Sequence, residues 1–207
     1  MNKAVKRNLY IMIKNYFFNI VFLILSVPLW GITSNNIGGM TLTIPIMTYT
    51  SISIIEQYEE LYNYDCILNS LPISRYDIVK SKFKSIFIIY LINTVLTLVT
   101  ELGYSMLGVK EFIPVNMYIL GISLSFLLSM IYGAGAVFII CKFGYGKLKT
   151  FGIILMLIIM STLSIPLYIL HNGNYILQAS AIIIILGAAV YFILQKYTIK
   201  IYYEKEF

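Results

Sequence analysis

The sequence predicts an all-α integral membrane protein: six transmembrane helices, both termini cytoplasmic, and an N-terminal amphipathic interfacial helix. Three observations predict it. Of 207 residues, 59% are hydrophobic and only 12% are charged, about half the roughly 25% charged share of a soluble domain, and the mean hydropathy is +0.85. The apolar stretches are continuous rather than alternating, which suits helical spans of roughly 20 residues and not a transmembrane barrel. Finally, 14 of the 15 Lys and Arg residues fall on one side of a six-span arrangement, leaving Lys110 alone on the other. An excess of Lys and Arg marks the cytoplasmic side, and an odd number of spans would destroy the separation.

The elements follow in order. Residues 1–14 read as the interfacial helix. Lys3, Lys6, Arg7, Tyr10 and Lys14 share one face of a helical wheel, and Val5, Leu9, Met12 and Ile13 share the other. That is the pattern of a short helix lying on anionic lipid; the alternative is an extension of the first span. No charged residue occurs between Lys14 and Glu56, an interval too long for one crossing. The turn formers Ser34-Asn35-Asn36-Ile37-Gly38-Gly39 divide it into spans at about 15–33 and 40–56. The remaining spans are expected at about 83–107, 115–140, 149–170 and 176–195. Gly108 to Pro114, Cys141 to Leu148, and His171-Asn172-Gly173-Asn174 separate them.

Several classes are disfavoured at this point. The first apolar run passes Ser34 without a small-residue cleavage site and is followed by more spans, so it does not read as a cleavable signal peptide. The basic residues sit at the ends of apolar segments, which argues for a bilayer and against nucleic acid despite the formal charge of +6. Cys66 and Cys141 fall in segments assigned to the cytoplasm, where thiols stay reduced, and they read as small apolar residues. Gly121, Ser125, Ser129 and Gly133 recur every four residues in the fourth span. Small residues at that spacing allow close helix packing within a bundle, and secondarily between subunits.

The long polar interruption from Glu56 to Lys84 holds nine of the 24 charged residues. Glu56, Glu59, Glu60 and Asn63 fall on one helical face, so the second span is expected to continue as a helix into the cytoplasm. Tyr58, Leu61, Tyr62 and Leu68 cover other faces, and apolar groups on an exposed segment need a membrane surface or a partner. Leu71-Pro72 stops that helix, because a residue before proline avoids the α region. Ser74-x-x-Asp77 ahead of Ile78-Val79 has the form of a capping box, so a new helix should start at Ser74 and feed the third span. Arg75, in its first turn, is poorly placed for that helix's own dipole, which points to a partner elsewhere; the alternative is a solvated side chain.

Leu71-Pro72-Ile73-Ser74-Arg75, with Asp77-Ile78-Val79 and Lys82 following, resembles the loop of small ABC-2 type transporter permeases. Within that class the six-span exporters of phenol-soluble-modulin-like peptides in Gram-positive bacteria are similar in layout: a basic amphipathic start, a long first cytoplasmic loop and tiny outer loops. The resemblance implies that residues 1–207 form a single transmembrane permease domain. It implies a cytoplasmic coupling region at 57–82 between spans two and three, docking on an ATPase. The interface would then involve Glu56, Glu59, Glu60, Tyr62, Asp65, Leu68, Leu71, Pro72, Ser74 and Arg75, with Lys142 to Lys149 as a secondary contact. The partners implied are two copies of an ABC ATPase, a second permease copy in a homodimer or heterodimer, and the lipid bilayer, with no nucleic acid. The chain would lie in the bacterial cytoplasmic membrane and export amphipathic peptides or other hydrophobic compounds. No cofactor is expected in this chain; ATP and Mg would be bound by the partner ATPase.

The chain's own chemistry supports that division of labour. Gly144-Tyr145-Gly146-Lys147-Leu148 is not a P-loop: the motif needs Gly where Cys141 stands and Ser or Thr where Leu148 stands. A single histidine, His171, in a turn offers no His-based zinc site, so no catalytic, cofactor or metal residue is assigned and the chain is not expected to be an enzyme. Glu101 is the only carboxylate within a span, roughly 22 Å along the third helix at about 1.5 Å per residue. Near the outer boundary it would either snorkel or serve a substrate or gating role. Thr41, Thr43, Thr48, Thr50, Ser51 and Ser53 around Pro45 either line a path or bond their own helix backbone. An ATP-independent transporter or a membrane sensor partner is the competing reading.

Overall fold

The computed structural model describes residues 3–14, 21, 38–62, 74–108, 114–148 and 176–204. Every regular element among them is helical: α1 (Lys3–Lys14), α2 (Gly38–Leu61), α3 (Arg75–Met106), α4 (Val115–Phe143) and α5 (Ile176–Glu204). Three of these, α3, α4 and α5, are long and apolar enough to cross a membrane. The 24-residue α2 covers the expected second span. Its middle is rich in hydroxyls and its last turns carry Glu56, Glu59 and Glu60. The expected first and fifth spans, at about 15–33 and 149–170, lie outside the described residues.

Helix limits follow local chemistry. Ser74 is the N-cap of α3: its hydroxyl accepts from the Asp77 N–H at 3.1 Å and donates to the Asp77 carboxylate at 2.6 Å. This satisfies one of the open N–H groups of the first turn. At the far end α3 closes on Leu107 and Gly108, whose φ of 73° is the left-handed conformation that glycine adopts without penalty. α4 starts at the Pro114 cap and stops at Gly144, with φ 82°, after which a single helical turn covers 145–148. α2 runs unbroken from the apolar segment through Glu60. α5 continues to Glu204 rather than ending near 195. Its last turns still bury Thr198 and Tyr202 against the bundle, so packing extends the helix past its apolar core.

α4 is the central element, packed most extensively on α5 and then on α2, while α3 touches all the others. The core lies where α2, α3 and α4 meet, around Ile44, Met47, Phe83, Ile86, Met130 and Val137. α5 is turned inside out relative to a soluble helix. Ser180, Gly187, Thr198 and Tyr202 face inward, while Ile182, Ile185, Leu186 and Ile193 are exposed. Such an arrangement suits lipid, which leaves apolar side chains no reason to turn inward and favours small residues at helix contacts. Gly187 shows the contact directly: a Cβ there would fall 2.9 Å from the Phe126 ring and 3.2 Å from the Leu127 backbone.

Candidate functional site

The last turns of α2 place Glu56 and Glu59 three residues apart, one above the other on the inward face. Lys82 of α3 reaches between them, its ammonium donating to Glu56 Oε2 at 2.7 Å and to Glu59 Oε2 at 2.5 Å. The other Glu59 oxygen, Oε1, accepts from the guanidinium of Arg7 on α1. Arg7 also donates to Asn8 Oδ1 at 2.8 Å, and Asn8 Nδ2 donates to Ser85 on α3 at 3.2 Å. Glu56, Glu59 and Lys82 are 4–5% exposed. Two acids and two bases make this cluster neutral, which suits three buried charges and a partly buried Arg7. It ties α1, α2 and α3 together at one end of the bundle.

Just beyond the cluster the chain is open. Glu60 is exposed, and Leu61 and Tyr62 are 68% and 66% exposed. Tyr62 stacks on Tyr58 with ring centroids 6.3 Å apart and planes 15° off parallel. On α3, Ser74, Tyr76, Asp77 and Lys80 are exposed at the same end. The turn at 145–148 packs against α2 here. Tyr49 donates to the Leu148 carbonyl at 3.2 Å, and Leu148 is buried in the core. Burial pushes the Tyr145 phenol above its ordinary value, and the Glu60 carboxylate adds to that rise. The end of α2 and the turn after α4 are therefore neighbours.

Arg75 finds its partner in α5. Its guanidinium donates to the carbonyls of Tyr203, at 2.9 Å, and Tyr202, at 3.5 Å. These are among the carbonyls a helix leaves open at its C-terminus, where a cation is favoured by the helix dipole. The residue that sits badly at the start of α3 thus sits well at the end of α5.

Of the residues singled out from sequence, the structure brings Glu56 and Glu59 into the buried cluster and leaves Glu60, Tyr62 and Ser74 exposed at the bundle's end. Asp65, Leu68, Leu71 and Pro72 lie outside the described residues, as do Cys66 and His171. Gly121, Ser125, Ser129 and Gly133 are all buried. A Cβ on Gly133 would fall 2.7 Å from Ile86 and 2.9 Å from Ile52, so this glycine sets the approach of α4 to both α3 and α2. Glu101 is fully buried, and it lies close enough to Tyr118 of α4 to interact with it electrostatically. It turns into the bundle instead of snorkelling. Thr48, Thr50 and Ser51 each donate to a carbonyl three or four residues earlier in α2, at 2.8, 3.1 and 2.7 Å, bonding their own backbone.

The sequence pattern gave Lys82 no role inside the bundle and placed Arg7 on the basic face of an interfacial helix. A signal for Lys82 was present: it shares a helical face with Val79, Phe83 and Ile86, so it falls on the apolar stripe of α3. A lysine there demands acidic partners. Arg7 turns inward because a buried carboxylate offers a charge-assisted bond that interfacial water does not.

Three helices long and apolar enough to cross a bilayer, one of which, α5, turns small residues inward and apolar ones outward, suit a helical integral membrane protein. The chain belongs to the ABC-2 family of transporter proteins, whose family model matches residues 4–203. That family comprises transmembrane components of ABC transporters, which are not themselves catalytic and generally work with an ABC ATPase. No match was found among the curated proteins or among the solved structures.

Proposed function

We propose that this chain is the permease subunit of an exporter, with six spans and both termini in the cytoplasm, acting on amphipathic peptides or other hydrophobic compounds. Two ATPase subunits, holding ATP and Mg, would dock below a pair of permeases, either two copies of this chain or this chain and a homologue. The docking element in this reading is the end of α2 and the segment leading to Arg75.

One observation carries the reading: the buried Arg7–Glu59–Lys82–Glu56 cluster lies directly under the exposed Glu60-Leu61-Tyr62 tip. A force applied to the tip reaches α1 and α3 together, because the cluster is neutral, desolvated and interlocked. Packed elements with fixed partners move as rigid bodies. The 145–148 turn beside Glu60 supplies the secondary contact, and Arg75 extends the linkage to the end of α5. Glu101, buried in the other half of α3, is the candidate for a gating or substrate role.

The test pairs the purified chain with the ATPase encoded beside it. The double substitution Leu61→Asp/Tyr62→Asp alters exposed side chains only. It should weaken complex formation and transport-coupled ATPase activity at least about tenfold, the effect of losing roughly 1.4 kcal/mol of interface energy, without lowering thermal stability. Unchanged complex formation and activity would refute the assignment of the tip.

A further inference from the structure

We infer that the groove between α3, α4 and α5 is a binding site for a membrane phospholipid with an anionic headgroup. A cavity of about 400 Å³ opens there, lined by Lys80, Lys84, Phe87, Phe126, Met130, Ala188, Tyr191, Phe192 and Gln195. Its volume lies within the roughly 300–1,000 Å³ of ordinary ligand pockets. Phe87 and Phe192 on its rim are 43% and 64% exposed, so the cavity opens outward, towards the side that faces lipid.

The lining is ordered by polarity. Lys80 and Lys84 are one turn apart on α3, and Phe87 lies one turn further into the apolar segment. On α5, Gln195 stands at the polar end, and Ala188 lies two turns back into the apolar segment. Seven residues separate Lys80 from Phe87 and Ala188 from Gln195, about 10 Å in each case at 1.5 Å per residue. The antiparallel helices thus put cations and an amide at one level and an aromatic, apolar wall about 10 Å deeper. That gradient matches a headgroup above an acyl chain.

The charge is also left for a ligand. Lys82 turns inward to its two carboxylates, which sends Lys80 and Lys84, two residues away on either side, to the opposite face. Lys80 stands 5.2 Å from the Tyr76 ring. Among the described residues no carboxylate forms an ion pair with Lys80 or Lys84. Lysines at the cytoplasmic edge of a helical bundle attract anionic headgroups, each strengthening binding about fivefold.

Lipid binding in this groove is independent of cargo and ATPase, so the purified chain suffices. Native mass spectrometry would follow titration with phosphatidylglycerol and, separately, phosphatidylcholine. Phosphatidylglycerol should bind at least tenfold more tightly. Lys80→Gln/Lys84→Gln should lose about 10- to 30-fold of that affinity and leave phosphatidylcholine unchanged, while Lys142→Gln, an exposed cation elsewhere, should change nothing. Ala188→Trp should weaken phosphatidylglycerol with both lysines intact, because it fills the acyl end. Equal affinity for the two lipids, or an unaltered double variant, would overturn the proposal. So would full competition by millimolar inorganic phosphate, which lacks an acyl chain, or binding loss that appears only when a dimer dissociates, which would make the groove a subunit contact.

Discussion

Replacing Lys82 with methionine keeps most of the side chain's volume and removes its charge. In the native chain this ammonium pairs with two carboxylates at 2.7 and 2.5 Å, with all three residues almost fully buried. Without it Glu59 keeps Arg7, but Glu56 loses its ion-pair partner in this cluster. Breaking a buried pair by removing one member costs about 3–5 kcal/mol, because a charge is stranded in low dielectric. An exposed pair would cost about 0–1 kcal/mol. At about 2–4 °C per kcal/mol for a chain of this length, Lys82→Met should lower the unfolding midpoint by roughly 6–20 °C. Thermal unfolding of the detergent-purified protein, followed by far-UV circular dichroism, reads this directly. Adding Glu56→Gln to Lys82→Met removes the stranded charge and should recover most of the loss. A single-variant drop of 2 °C or less, or no recovery in the double variant, would show that the cluster is hydrated and carries no structural weight.

Three further outcomes follow from the same geometry. Gly187→Val should destabilise the α4–α5 contact by about 1–3 kcal/mol through overpacking against Phe126 and the Leu127 backbone, visible as a lower melting temperature. Arg75→Ala should cost about 1–2 kcal/mol by removing a charged donor from the end of α5, and hydrogen exchange should speed up selectively at 200–204. Glu101→Gln keeps the shape of the buried side chain, so the protein should fold with little change in melting temperature while export falls at least about tenfold, a rise of roughly 1.4 kcal/mol in the transport barrier. Wild-type export by that variant would remove Glu101 from the pathway.

Local chemistry was legible in the sequence; tertiary partnership was not. Ser74-x-x-Asp77 announced the start of α3 because a cap is a contact over three residues, and Gly108 and Pro114 marked the end of α3 and the start of α4 for the same reason. The continuation of α2 through Glu60 followed from carboxylates at helical spacing. The partner of Arg75 was invisible, since the α5 carbonyls lie about 128 positions away. The electrostatic misfit of Arg75 in α3 nevertheless signalled that a partner existed. Glu56 and Glu59 read as one face of a cytoplasmic helix end and as part of an ATPase contact, because their spacing suits either side of a helix. Only Lys82, on the apolar stripe of α3, decides that they face inward. Gly187 stood in a run of Ile, Leu and Ala that any lipid-facing helix could carry, and its role depends on the Phe126 ring opposite.

In the proposed assembly the end of α2 touches the ATPase. The most direct measurement is photo-crosslinking from a benzophenone amino acid placed at Tyr62, in membranes containing both this chain and the ATPase encoded beside it. A crosslink to the ATPase is expected, changing in yield when ATP is trapped in the site, and none from the same probe at Met106, at the opposite end of α3. A crosslink of equal strength from Met106, or none from Tyr62 in a complex shown to be assembled, would contradict it.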